Sequence, residues 1–351
     1  MRSSSPSVRP RARWSGCWAT LLRATAYRGH PIAPPGSCGV SDPASSSLAP
    51  VRRYWPMLFL LAAIWGASYL FIKLAVEDIE PAPMMAARTL VAGAILASYL
   101  VLTLGRERTV RELRASWRPA LFLGAVNAAI PFWLVGWGEK HIDSSVAGIA
   151  QSTVPIFTFL VAARFVPGEH VGALRVLGIA LGFLGVAVLA GLDPRGGWWA
   201  IAGTLAVVLS SLSYAFGGVY GQLRVRTVSG PVLATGSMLA GGAILLPLAL
   251  FQLPDHAPSA EAIGGLLALT LLGTALGQLI LFRMLRLFGS RRLSLVTYLM
   301  PGFALVYGAV FLSEPITAAA LGGLALILVG VALGSGQRLL GLRGREEPVT
   351  P

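Results

Sequence analysis

Charge is scarce in this sequence. Only 12% of its residues are Asp, Glu, Lys or Arg, against about 25% in an ordinary soluble domain. A chain of 351 residues is long enough to bury a large core, but so few charges cannot cover the surface of one. With 55% hydrophobic residues and a mean hydropathy of +0.71, its natural solvent is lipid. Cysteine is nearly absent: Cys17 and Cys38 both precede the apolar body. A disulfide framework or a cysteine-based metal site in that body is therefore excluded. Histidine is equally thin. His30, His141, His170 and His256 stand alone, and neither H-E-x-x-H nor G-x-S-x-G occurs. The usual marks of intramembrane metal or nucleophile chemistry are missing. No enzyme activity, metal or cofactor is expected.

Arginine and long apolar runs are what the chain does have. A net charge of +13 and a pI near 10.8 would suit nucleic acid if the charge formed one stripe. Here the arginines are interleaved between apolar runs, as the positive-inside rule requires of helix ends. The expected partner is a lipid bilayer and not nucleic acid. Residues 1–53 differ from the rest. They are rich in Ser, Pro and Arg, hold no run long enough to span, and read as a disordered extension. An over-long reading frame, with its start near Val51 or Met57, is the competing expectation.

Ten apolar segments follow, near 57–76, 82–104, 118–137, 142–165, 171–191, 199–222, 231–252, 262–283, 291–312 and 317–337. Each approaches the ~20 residues that cross ~30 Å of hydrocarbon. Helix is the expected form, because a helix satisfies its own backbone in lipid. With the N-terminus inside, the inner connections and tail collect Arg106, Arg108, Arg111, Arg114, Arg118, Arg164, Arg175, Arg224, Arg226, Arg283, Arg286, Arg291, Arg292, Arg338, Arg343 and Arg345. The outer side holds Lys140 and Arg195, with Lys73 and Arg88 just inside the membrane. This bias predicts a multi-pass protein of the cell membrane with both termini cytoplasmic, residues 338–351 forming a tail. Trp55, Trp117, Trp198 and Trp199 fall at segment ends, where indoles anchor at headgroups.

The body also repeats itself. GAIL stands at 93–96 and again at 242–245, and LG at 123–124 and 272–273. At the same shift Trp65-Gly66 meets Tyr214-Ala215. Slightly out of step, Pro155 meets Pro301, Glu169 meets Glu314, and GVA at 185–187 meets GVA at 330–332. The halves, 54–191 and 192–337, hold five predicted helices each. Five is odd, so the second copy enters from the opposite side. The expected fold is an all-α polytopic membrane protein, ten transmembrane helices in two inverted five-helix repeats, an architecture of alternating-access transporters.

The quoted runs WGASYLFIK, PAPMMAARTLVAG, QSTVPIFTFLVAARFVPGEHV and YLMPGFALVYGAVFLSEPI resemble those of the drug/metabolite transporter superfamily, in particular EamA-like permeases. The likeness covers residues 54 to about 337. It departs where Arg88 has Ser237 opposite it, and where Thr89 follows Arg88 in place of the family's frequent Phe. The resemblance implies a secondary transporter that moves a small metabolite, an amino acid or related compound, across the cytoplasmic membrane by alternating access, outward rather than inward. The classes it competes with are a scaffold or receptor-like membrane protein and, more remotely, an intramembrane enzyme. No oligomeric state is implied.

Particular side chains then carry the expectations. Lys73 lies roughly 5 Å inside the outer end of the first helix and Arg88 about 9 Å inside the second, at 1.5 Å per residue. Lys73 either snorkels, with Glu77 one turn on as its partner, or marks a cationic mouth. Arg88 either locks to Glu77, Asp78 or Glu80, or joins Lys73 in attracting a carboxylate or phosphate. Trp65, Ser68, Tyr69, Asn127, Gln151, Tyr214, Gln278 and Tyr298 lie deeper and complete the substrate-binding set, Asn127 and Gln278 as amides that both donate and accept. Pro131, Pro155 and Pro301 free backbone carbonyls inside their helices and are the expected gating hinges. Glu169 and Glu314 each precede a helix and read as caps of its positive end. Glycines spaced four apart, at 178/182, 217/221 and 330/334, read as close-packing sites. All fifteen acidic residues fall in tails, connections or helix ends. Without a midplane carboxylate, facilitated movement or exchange is the simplest expectation, and proton coupling through His141 or an end-placed Glu is the alternative.

Overall fold

The computed structural model describes residues 48–166, 172–191, 197–225 and 228–334. The extension before Leu48, Glu169, Arg195, Arg226 and the tail lie outside them. Every regular element described is helical: α1 (Leu48–Val76), α2 (Pro81–Leu104), α3 (Arg106–Ala115), α4 (Trp117–Glu139), α5 (Ser144–Phe165), α6 (Ala173–Gly191), α7 (Gly197–Arg224), α8 (Gly230–Phe251), α9 (Ala260–Gly289), α10 (Val296–Phe311) and α11 (Ala318–Gly334). Eight of these are long and apolar enough to cross a membrane. The helices α10 and α11 are apolar but shorter, at 16 and 17 residues. The expected run 291–312 is trimmed at its start because a turn at Ser294–Leu295 separates α10 from the short helical piece that follows Gly289, which itself adopts φ 77°.

Local sequence explains the boundaries. Pro81 opens α2, where a missing N–H costs nothing. Gly105, at φ 82°, ends it and turns the chain into α3. The arginine-rich stretch after residue 105 is thus a helix rather than a plain connection. Arg108 pairs there with Glu112 one turn on, at 2.7 Å. Ser259 Oγ accepts from Ala262 N at 3.2 Å and caps α9. Two spans contain π-helical turns, Ala125–Ala129 in α4 and Leu269–Leu276 in α9. These are the third segments of the two halves.

Large apolar side chains point outward along the helices, Leu102, Leu174, Leu209, Phe251 and Val310 among them. A water-soluble surface does not carry so much exposed hydrocarbon; a lipid-facing one does. Inside, helices pair across the two halves of the chain. α6 lies along α11 and α2 along α8; α1 meets α9 and α10, and α7 meets α4 and α5.

The α6–α11 seam depends on glycine. A Cβ at Gly185 would stand 2.8 Å from the Gly323 carbonyl oxygen, and one at Gly323 would stand 2.9 Å from that of Gly185. Gly178 and Gly330 obstruct each other in the same reciprocal way. Backbones this close allow no side chain between them. The third glycine pair departs from expectation: Gly217 makes room for the Asn127 side chain, and Gly221 faces open space.

Candidate substrate cavity

A cavity of about 460 Å³ lies between the halves. Eight of the ten expected binding residues line it: Trp65, Ser68, Tyr69, Arg88, Asn127, Gln151, Tyr214 and Gln278. Trp65, Ser68 and Tyr69 share one face of α1, as their spacing requires. Small residues on α9 make that face accessible. A Cβ at Gly273 would stand 2.7 Å from Ser68 Oγ, and one at Gly277 would stand 2.7 Å from Trp65 Nε1. Gly66, behind Trp65, is a contact residue. A Cβ there would meet that of Phe303 at 2.5 Å, so it lets α1 approach α10.

Among the described lining residues Arg88 is the only cation, and none is acidic. It is 7% exposed. Its Nε donates to Thr274 Oγ1 at 2.8 Å, and its Cζ lies 3.9 Å from the centroid of the Phe132 ring. The expected lock to a neighbouring acid is not formed. Asp78 Oδ2 instead accepts from Ser259 N at 2.9 Å, and Glu80 pairs with Lys140 at 2.5 Å. The guanidinium is held by a hydroxyl, by the Met85 sulfur 3.6 Å from Nη1 and by a ring face, with donors to spare.

Asn127 sits in the π turn of α4 with its Oδ1 buried and unpartnered among the described residues. Ser213 Oγ donates to the neighbouring Val126 carbonyl at 2.7 Å. Gln151 is more fully engaged. Its Nε2 donates to Ser211 Oγ at 3.1 Å, and Ser210 Oγ donates to its Oε1 at 2.9 Å. That amide ties α5 to α7 while still lining the cavity.

The remaining residues lie elsewhere. Tyr298 is off the cavity wall, and its neighbour Thr297 is on it. Lys73 also lies off the wall. Its Nζ donates to the Glu139 carbonyl at 2.8 Å and the Ile142 carbonyl at 2.9 Å, so it caps the C-terminus of α4 rather than pairing with Glu77. It borders a second cavity, of about 170 Å³, with Lys140, His141 and Asp143. Pro131 follows the π turn of α4, Pro155 follows a break at Ser152–Thr153 in α5, and Pro301 lies inside α10.

Glu314 does cap a helix, but not the one that follows it. Its two carboxylate oxygens accept from Ser144 N at 2.7 Å and Ser145 N at 2.9 Å, binding the start of α5 from the other half of the chain. Sequence reasoning missed three residues. Phe132 lies under Arg88; Ser237, in the sequence only the counterpart of Arg88, lines the cavity; and Glu139 is fully buried. The repeat itself was the signal for Ser237: Arg88 and Ser237, like Trp65 and Tyr214, occupy matching positions and meet in one cavity.

Comparison with known proteins agrees with this architecture. The sequence model of the EamA-like transporter family matches residues 53–191 and again 201–335. An uncharacterized transporter of Archaeoglobus fulgidus is 26% identical over 280 residues, which are 80% of this chain and 97% of that protein. The uncharacterized inner membrane transporter YedA of Escherichia coli K12 is 33% identical over 191 residues, 54% of this chain and 59% of its own. A solved crystal structure shares the fold, with a TM-score of 0.57 at 20% identity, covering 80% of this chain and 96% of that one. With apolar helices facing outward, a cavity within that carries Arg88 and a few polar side chains among apolar ones, and a family match over both halves, this multi-pass membrane protein belongs to the EamA-like transporter family.

Proposed function

We propose that the chain is a secondary transporter of small carboxylate-bearing metabolites, amino acids among them, working by alternating access between two inverted five-helix halves. The observation that carries this reading is Arg88, a buried cation with no acid within ion-pair distance among the described residues, in the wall of a 460 Å³ cavity. A substrate carboxylate is the partner such a guanidinium lacks. The aromatic faces of Trp65, Tyr69 and Tyr214 beside it suit an amino group by cation–π attraction. A described wall with one arginine and no acid disfavours simple cations.

Ten crossings and inverted topology are part of the proposal. Support comes from the reciprocal pairing of helices across halves, the π turn in each third segment, and the matched cavity pairs Trp65/Tyr214 and Arg88/Ser237. At 16 and 17 residues α10 and α11 are short for a span, but a mismatch of a few residues is tolerable at modest cost.

The cavity wall reaches Gly230, Phe282 and Thr297, near the helix ends that carry Arg224, Arg283, Arg286 and Arg292. By the positive-inside rule that end is cytoplasmic, as are both termini. The other end is tied by Glu314 to Ser144 and Ser145, by Lys73 to the α4 carbonyls, and by Lys140 to Glu80. This is the arrangement of an inward-facing carrier, loaded from the cytoplasm. Export rests on the family resemblance. Pro131, Pro155 and Pro301 are the proposed hinges.

The test is solute counterflow into proteoliposomes, with a panel of radiolabelled carboxylates, amino acids and neutral or cationic amines. Saturable counterflow of at least one carboxylate, lost in Arg88→Gln, is expected. A protein that moves nothing, or moves only amines, contradicts the proposal.

A further inference from the structure

Glu139 is a residue the cavity does not use. It ends α4, is 0% exposed, and neither carboxyl oxygen has a hydrogen-bond partner among the described residues. Buried carboxylates are almost always hydrogen-bonded or paired. An orphaned, ionised one inside a membrane span is costly, and the neutral acid is the form such surroundings tolerate.

The groups facing it come from several helices. α1 contributes Lys73 and Tyr69, α2 contributes Arg88, and Glu314 approaches from the segment before α11. α7 packs against this end of α4 through Gly203 and Val207, which do not titrate. α5 brings Ser144, whose Oγ is also unpartnered among the described residues. Of the charged groups in the adjoining turn, Lys140 is taken by Glu80, and His141 Nδ1 faces the Trp137 carbonyl at 2.8 Å.

Lys73 links this acid to the tied end. Its ammonium bridges the Glu139 and Ile142 carbonyls and so fixes the turn leading into Ser144 and Ser145, the residues Glu314 grips. An ammonium has three donors. A charge appearing on the Glu139 carboxyl would draw it away from those carbonyls and loosen the turn.

We propose that Glu139 is a proton-binding site, protonated while this end of the molecule is closed and deprotonated when the end opens. On opening, the carboxyl O–H bond breaks, the proton passes to entering water, and the carboxylate pairs with the Lys73 ammonium. Conformational exchange thereby becomes proton-linked, through an end-placed Glu and against the simpler expectation of uncoupled movement. The inference rests on the alternating-access reading, but its test needs no substrate.

That test is infrared difference spectroscopy between acid and alkaline pH. The sample is the full chain in lipid nanodiscs, labelled with carbon-13 glutamate. The wild type is expected to show the carbonyl stretch of a protonated carboxylic acid at neutral pH, moved by the isotope. The band should vanish in Glu139→Gln, shift in Glu139→Asp, and weaken at the same pH in Glu314→Ala, where the closed state is destabilised. A wild type without a label-sensitive acid band, or a band untouched by Glu139→Asp, overturns the site. A band of unchanged intensity in Glu314→Ala overturns its link to opening. Counterflow failing while the band persists would count against transport and leave the proton site standing.

Discussion

Replacing Glu314 by alanine should unlock the tied end of the molecule. The substitution removes two hydrogen bonds, 2.7 and 2.9 Å long, from a carboxylate to the first backbone N–H groups of α5. Bonds to a charged group contribute about 1.5–3 kcal/mol each when fully formed and desolvated, and the helix dipole adds to them. In the open state water serves both the carboxylate and the helix end, so part of that sum returns. A net loss of about 2 kcal/mol from the closed state corresponds to roughly a 30-fold shift toward opening. The assay uses a protein whose Cys17 and Cys38 are serine, leaving no native thiol, with a single cysteine at Ala319, which borders the small cavity beside Lys73. The rate of modification by a hydrophilic maleimide in nanodiscs then reports the open fraction. Gly308→Ala is an independent route to the same state, since a Cβ at Gly308 would collide with the Glu314 carboxylate. If both variants are folded and react no faster than the parent, Glu314 is not a latch.

Other consequences are equally open to measurement. Arg88→Gln should raise the KM for an anionic substrate well above any effect on a neutral one, and Arg88→Lys should restore it only in part, because the Nε bond to Thr274 and the Phe132 ring are matched to a planar guanidinium; equal effects on both substrate types would refute an anion site. Gly185→Leu forces side-chain atoms into the α6–α11 seam and should cost about 1–3 kcal/mol or prevent assembly, visible as a lower melting temperature, whereas Gly221→Ala, facing open space, should leave it unchanged. Asp78, between α1 and α2, is held below the usual carboxylate range by hydrogen bonds from the Ser259 side chain and backbone. Its contribution to stability is present above the unfolded carboxylate pKa of about 3.9 and is lost as pH falls through the lower folded value. Asp78→Asn should therefore lower the melting temperature at neutral pH and flatten the acid end of its profile; a variant that matches the parent at neutral pH and still loses stability with it in acid would contradict this.

Much of this arrangement was legible in the chain because lipid leaves few alternatives. Apolar runs of the right length become helices, and Trp65, Ser68 and Tyr69, one helical turn apart, necessarily share a face. What stayed hidden depends on the partner each face meets. Glu139 and Lys73 both sit near helix ends, where sequence suggests water or headgroups. Packing of α1, α5 and α7 around the end of α4 buries the acid completely and turns the lysine onto backbone carbonyls. Glu314 shows the same limit. Its preference for a helix N-terminus follows from charge, but the identity of that helix is set by tertiary structure. The π turns escape prediction because one extra residue in a helical turn leaves the apolar pattern of α4 and α9 almost unchanged. They nevertheless rotate Asn127 and Thr274 onto the cavity.

Two pairs of spin labels, one at each end of the molecule, test the central claim most directly. Lys140 with Ala318 brackets the tied end, and Arg118 with Arg286 brackets the end toward which the cavity extends; all four are exposed. Distance distributions from pulsed electron resonance in nanodiscs should show two populations in each pair. On introducing Glu314→Ala, the Lys140–Ala318 distances should lengthen while the Arg118–Arg286 distances shorten. Both ends lengthening together would describe a pore, and two rigid distances that ignore Glu314 would describe a scaffold; either contradicts alternating access.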